Sequence, residues 1–320
     1  MEIKDYLEGI QKCDRAILGK SITLTESSLK KDKIKAEKLL SKCIHLKQKS
    51  LRIGVSGTPG VGKSTFIESL GRKLIKENYK IAVLAIDPSS NLSKGSILGD
   101  KTRMEHLVNS DLAFIRPSPN SGTLGGVSKN TKDAITICEA AGFDIIIIET
   151  VGVGQAETLV KSMTDILIYL TLIQNGDELQ FIKKGILELC DIILINKCDQ
   201  NHKKSKQVAV SLQNSLTYTQ QKIKQSILVC SALNGFNITN IWEQIKTIEK
   251  QKNKQGIIKK NRIQQNIFWF KKILKDELYD LIKTNPKFKD VIDNFKNKPN
   301  TNPRTAVSKI IKKTFKEDLK

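Results

Sequence analysis

Residues 51–64 read LRIGVSGTPGVGKS. An apolar run ends at Gly57, and Gly57-Thr58-Pro59-Gly60-Val61-Gly62-Lys63-Ser64 then satisfies G-x-x-x-x-G-K-S. The residues that follow, STFIESLGRKLIKE, have the pattern of a helix. Strand, glycine-rich loop and helix therefore follow one another in the order a phosphate-binding loop needs. Glycines let successive backbone N–H groups turn inward around phosphates, at the positive end of the helix dipole. Lys63 places a cation between the β- and γ-phosphates, and the Ser64 hydroxyl is a magnesium ligand. That context separates the run, extended by Thr65, from a chance glycine-rich turn.

Further along the chain, the apolar runs 80–87, 112–117, 144–149, 165–172, 191–197 and 226–232 are each short and bounded by turn or charge signals. Amphipathic segments lie between them. This alternation predicts an α/β fold of the P-loop NTPase type, a mostly parallel sheet covered by helices on both faces. Residues 1–48 read as an N-terminal helical extension, 49–250 as the nucleotide-binding domain and 251–320 as C-terminal helices. Helical periodicity begins at Ile238, and a longer helix is expected over about 257–284, before the breaks at Asn285-Pro286 and Lys298-Pro299.

The 320 residues carry a net charge of +21, which taken whole suggests nucleic acid. Residues 51–200, however, hold 16 Lys and Arg against 17 Asp and Glu, a net of −1. The excess lies on the flanks, +12 of it in residues 251–320. No aromatic-rich basic stretch accompanies it, so the reading is a solvated basic surface and nucleic acid is not expected as a partner. No apolar run approaches a membrane span, and the first residues, MEIKDYLEGIQKCDR, lack the apolar core of a secretory signal. Six cysteines without C-x-x-C spacing point to reduced thiols and a cytoplasmic protein.

Base identity comes from Asn196-Lys197-Cys198-Asp199, at the end of the run DIILI. A carboxylate at Asp199 can accept from both N1–H and the exocyclic amine of guanine, a donor pair that adenine lacks. The Lys197 stem can lie along the base, and Asn196 can tie this loop to the phosphate loop. Ser231-Ala232-Leu233, after the next apolar run, fits a loop whose N–H contacts guanine O6. GTP is the expected nucleotide. Three acids could help hold magnesium. Asp87 and Glu149 end strands on the phosphate side of the sheet, where hard-cation ligands suit the chemistry. Asp100 lies between polar turns and reads equally well as an ordinary loop carboxylate.

Glu149 opens the stretch ETVGVGQ, in which Val153 stands where many P-loop GTPases place a water-orienting glutamine. Gln155 lies two residues further on. Catalytic help is therefore expected from another loop.

Together these motifs, with DRAILGKSITLTES (14–27), VLAIDPSSNLSKGSILGDKTRM (83–104), FIRPSPNSGTLGG (114–126), GDELQFIKKG (176–185) and NPRTA (302–306), resemble the methylmalonyl-CoA mutase-associated GTPases of the MeaB/ArgK type. The resemblance covers nearly the whole chain. It implies a G-protein chaperone that binds an adenosylcobalamin-dependent acyl-CoA mutase, gates its cofactor loading by GTP hydrolysis, and protects or reactivates it. It implies magnesium and switch roles for Asp87, Asp100 and Glu149, and an additional switch in which Gln180 and Lys183, with Asp177 a lesser candidate, respond to nucleotide and partner. Phe181 stands where the family pattern has glycine. The C-terminal helices resemble the family's dimerisation arm, so a homodimer is expected. Two alternatives from other classes remain: a metallochaperone GTPase, which would need a His/Cys cluster that His45, His106 and His202 do not form, and an RNA- or ribosome-associated GTPase, motivated only by the basic tail.

Overall fold

The computed structural model describes residues 1–46, 49–86, 104–116, 124–150, 156–172, 188–215, 225–284, 293, 295 and 302–314. Three helices come first: α1 (Ile3–Gln11), α2 (Arg15–Glu26) and α3 (Lys30–Leu46). Then follow β1 (Leu51–Gly57), α4 (Lys63–Lys76), β2 (Ile81–Ile86), α5 (Glu105–Val108), β3 (Ala113–Arg116), α6 (Leu124–Ala140), β4 (Ile145–Thr150) and α7 (Ala156–Lys161). The remainder is β5 (Ile166–Thr171), β6 (Ile192–Ile195), α8 (His202–Ser215), β7 (Ser226–Val229), α9 (Ile238–Lys254), α10 (Ile257–Thr284) and α11 (Pro303–Thr314). Each of the apolar runs marked in the sequence carries a strand.

The strands form one parallel sheet in the order β3-β2-β4-β1-β5-β6-β7. Strands β1, β4 and β5 are buried along their whole length, as strands covered on both faces must be, which explains their continuous Ile/Val/Leu sequences. One side of the core joins Val55, Ile147 and Ile168 of the sheet to Phe66, Ile67 and Leu70 of α4 and to Trp242 of α9. The first three helices pack on one another and on α6. Asp14 caps α2 through the N–H groups of Ala16 and Ile17 at 2.8 and 3.0 Å. Arg15 donates to the carbonyls of Ser110 and Ala113, and Arg116 pairs with Glu26, so both ends of β3 are fastened to α2.

The chain divides into two compact units, Met1–Arg262 and Ile263–Lys320. In the first, a buried ionic network closes the end of the sheet opposite the phosphate loop. Arg52, within β1, pairs with Glu139 at 2.7 Å, both fully enclosed. Asp165, just before β5, accepts from the Arg52 N–H at 2.9 Å and from Arg262 through both carboxylate oxygens at 2.8 and 2.6 Å. Lys252 donates to the Asp165 carbonyl at 2.8 Å and pairs with Asp191 at 2.5 Å. Burial works against the Asp191 carboxylate, but Lys161 and Lys252 together hold it below the usual carboxylate range. Lys252 and Arg262, which the sequence reading assigned to a solvated basic flank, are thus internal partners of carboxylates; charge counting cannot distinguish the two situations.

Candidate nucleotide site

Because every strand points the same way, the segments after β1, β4, β6 and β7 all emerge at one edge of the sheet, the edge at which open parallel sheets bind ligands. The phosphate loop, Glu149, the Asn196–Asp199 segment and Ser231–Leu233 are those four segments. The first three border a cleft of about 510 Å³ lined by Pro59, Gly60 and Gly62 to Thr65, by Glu149 and Thr150, and by Lys197.

The glycines are explained by two close approaches. At Gly57 a Cβ would come within 2.4 Å of the Leu170 carbonyl. At Gly62 the backbone is left-handed, φ +94°, and a Cβ would stand 2.7 Å from Asn196 Nδ2. Gly62 is also the N-cap of α4 and supplies no side-chain cap, which leaves the first N–H groups of the helix available to an anion. Lys63, the first residue of α4, curls back over the loop and donates to the carbonyls of Gly57 at 2.9 Å and Thr58 at 3.1 Å. Its ammonium is thereby held over the glycine-rich loop.

Glu149 lies beside Val55 in the β1–β4 register, and its carboxylate accepts from Ser64 Oγ at 3.0 Å. A hydroxyl and a carboxylate side by side are the hard oxygen donors that a magnesium ion takes, so these residues fit such an ion. Directly beyond Glu149, the buried Thr150 donates to Ser56 Oγ at 3.0 Å and ties β4 to β1 beneath the loop. The sequence reading passed over this pair; the available signal was a threonine ending a strand of four isoleucines and a glutamate.

Asn196 joins three loops at this edge of the sheet. Its Nδ2 donates to the Val61 carbonyl at 2.8 Å, and its Oδ1 accepts from the Ala232 N–H at 2.9 Å. The Cys230 thiol also approaches Oδ1, at 3.6 Å. Burial, with Cys198 and Asp199 nearby, pushes that thiol up to about 12, so it stays protonated and able to donate. Cys230 was another residue missed, although it immediately precedes Ser231. Lys197 adopts φ +57° and donates from Nζ to the Gly60 carbonyl at 2.9 Å. Asp199 is exposed at the rim, and Ser231 is buried in a bridge to Phe236. Leu233 lines a neighbouring groove instead of the phosphate cleft. Asp87, Asp100, Gly152, Val153, Gln155, Asp177, Gln180, Phe181 and Lys183 lie outside the described residues.

The family model for the methylmalonyl Co-A mutase-associated GTPase MeaB matches residues 18–287. The chain belongs to the MeaB family. Among its relatives, a putative GTPase of Caulobacter vibrioides is 45% identical over 276 residues, 85% of each chain. GTPase ArgK of Escherichia coli is 40% identical over 290 residues, covering 89% of this chain and 88% of that one. The mitochondrial methylmalonic aciduria type A homolog of Mus musculus is 38% identical over 298 residues, covering 89% and 72%. A crystal structure of a LAO/AO transport system kinase superposes with a TM-score of 0.76 at 32% identity, covering 98% of this chain and 97% of that one. This MeaB-family protein is accordingly a P-loop GTPase that binds guanine nucleotide.

Proposed function

We propose that this MeaB-family GTPase is a chaperone of an adenosylcobalamin-dependent acyl-CoA mutase, methylmalonyl-CoA mutase first among the candidates. In this reading it gates cofactor loading and protects or reactivates the enzyme in the cytoplasm. The observation that carries the proposal is the match to a mutase-associated GTPase family over residues 18–287. Among the described residues no helix is long and apolar enough to cross a membrane.

The reaction is GTP + H₂O → GDP + phosphate. Lys63 and the loop N–H groups neutralise and orient the phosphates. Asp199 and Asn196, with Lys197, Ala232 and Leu233, select and hold the base. Ser64 and Glu149, joined by Asp87 and Asp100, would hold magnesium, which would supply Lewis-acid polarisation of the phosphates. Intrinsic turnover is slow, and partner binding accelerates it through Gln180 and Lys183. Homodimerisation through the C-terminal helices is supported by Ile263, Ile267, Phe270, Leu274, Leu278 and Leu281, apolar residues at helical spacing along α10 that are all exposed in the single chain.

The test is capture of purified methylmalonyl-CoA mutase by the purified chain loaded with a GTP analogue, followed by GTPase rates with and without the mutase. Binding together with stimulation that Lys183→Ala abolishes is the expected result. Absence of binding in every nucleotide state would overturn the proposal.

A further inference from the structure

Beside the nucleotide cleft runs a second groove, of about 430 Å³. One wall is the outer face of α4, including Thr65, Arg72 and Lys76; the other is the Ala232–Gly235 loop with the first turn of α9. Thr65 lines both the groove and the cleft, so an occupant of one touches the rim of the other.

The loop wall is held from several sides. Ser231 pairs with Phe236, the Asn234 N–H donates to Ser231 Oγ at 3.4 Å, and Asn237 Nδ2 donates to the Val229 carbonyl at 2.8 Å. Gly235 and Asn237 occupy left-handed backbone at φ +70° and +69°. The Ala232 N–H is fixed by Asn196. A loop so constrained cannot withdraw its side chains, yet it presents Leu233 at 79% exposure and Phe236 at 47%. A large apolar side chain held in water on a fixed backbone is the pattern of a contact surface.

The facing wall is cationic. The Glu68 carboxylate is engaged by the N–H groups of His106 and Leu107 at 3.0 and 3.4 Å, and Lys73 pairs with Glu77 at 2.9 Å. Among the described residues Arg72 and Lys76 meet no carboxylate, and they lie one helical turn apart on one face of α4. Two open cations opposite an exposed leucine suit a protein segment that brings carboxylates and an apolar side chain together. Among the described residues no aromatic ring lines the groove, which argues against stacked nucleic-acid bases.

We infer that this groove docks a carboxylate-bearing, apolar-tipped segment of the mutase partner, and that docking there acts on nucleotide exchange through the Ser231–Phe236 loop. The inference rests on the chaperone reading above and specifies where the partner engages. Pressure on Leu233 is relayed to Ala232, from there to Asn196, and through Asn196 to Val61 of the phosphate loop.

The experiment measures affinity for purified methylmalonyl-CoA mutase, and mutase-induced release of a fluorescent GDP, using the full chain and two surface variants. Arg72→Glu/Lys76→Glu should weaken mutase binding by about tenfold or more and suppress induced release, with basal GTP hydrolysis unchanged. Arg72→Lys/Lys76→Arg should retain both. If the charge-reversed protein binds the mutase as tightly as wild type, the groove inference is overturned and the chaperone reading stands. If wild type itself fails to bind, both fall. If charge reversal removes only a salt-sensitive affinity for RNA, the groove serves nucleic acid and the inference is likewise overturned.

Discussion

Asn196 Nδ2 and the Val61 carbonyl stand 2.8 Å apart, joining the Asn196–Asp199 segment to the glycine-rich loop across 135 positions of sequence. The other end of the same amide accepts from Ala232. One side chain therefore sets the distance between the loop proposed to hold phosphate and the loops proposed to read the base.

Asn196→Ala leaves Val61 O and the Ala232 N–H without their buried partner, at a cost of roughly 1–3 kcal/mol for each unsatisfied group. GDP affinity should fall by roughly ten- to hundred-fold. Titration with a fluorescent GDP analogue reads this directly, and an affinity within about twofold of wild type would contradict the hub role.

Asp199→Asn replaces an acceptor pair with a group that matches xanthine better than guanine. GTP should lose its advantage and xanthosine triphosphate should gain it, by roughly a hundred-fold or more in the ratio of affinities. Competition between the two nucleotides is the measurement. A variant that keeps its guanine preference would remove Asp199 from base recognition.

Arg262→Ala takes away the cation that meets both oxygens of the buried Asp165. Breaking a buried pair on one side costs roughly 3 kcal/mol or more, because the remaining charge has no equal replacement. Urea unfolding should show the loss. A change below about 0.5 kcal/mol would mean that Lys252 and water compensate.

Asp133 supplies a pH dependence of known sign. Burial, only partly offset by Lys129 and Lys132, raises its carboxyl from 3.8 to about 6. The folded state then binds more protons than the unfolded state between those values, so stability declines as pH rises through that window. Asp133→Asn should match wild type near pH 4 and exceed it above pH 7 by roughly 2–3 kcal/mol. Thermal melts from pH 4.5 to 7.5 check it; parallel curves for the two proteins would show that the group does not titrate there.

The sheet and the loops at its edge were legible because local pattern encodes them. DIIIIE and DIILINK cannot be anything but enclosed strands once turn signals bound them, and a glycine-rich loop between strand and helix carries its own chemistry. What escaped was long-range. Arg52 inside LRIGVSG gives no hint that it lies fully buried against Glu139, 87 residues away. Nothing nearby in sequence shows that Arg15 and Arg116 fasten the N-terminal helices to β3. Thr150 and Cys230 were overlooked because a hydroxyl or thiol acquires a role only when its partner arrives from another strand.

The central place of β1 has a consequence for synthesis. Its neighbours in the sheet are β4 and β5 alone, so the strand that ends in the phosphate loop leaves the ribosome long before anything can pair with either edge. Through that interval the nascent chain exposes its most apolar backbone, and GTP cannot rescue it, since Asp199 and Ala232 come later still. Nucleotide affinity is therefore gained only once synthesis has passed Ala232, and a product that stops before it is left to chaperones and proteases without any ligand to hold it together.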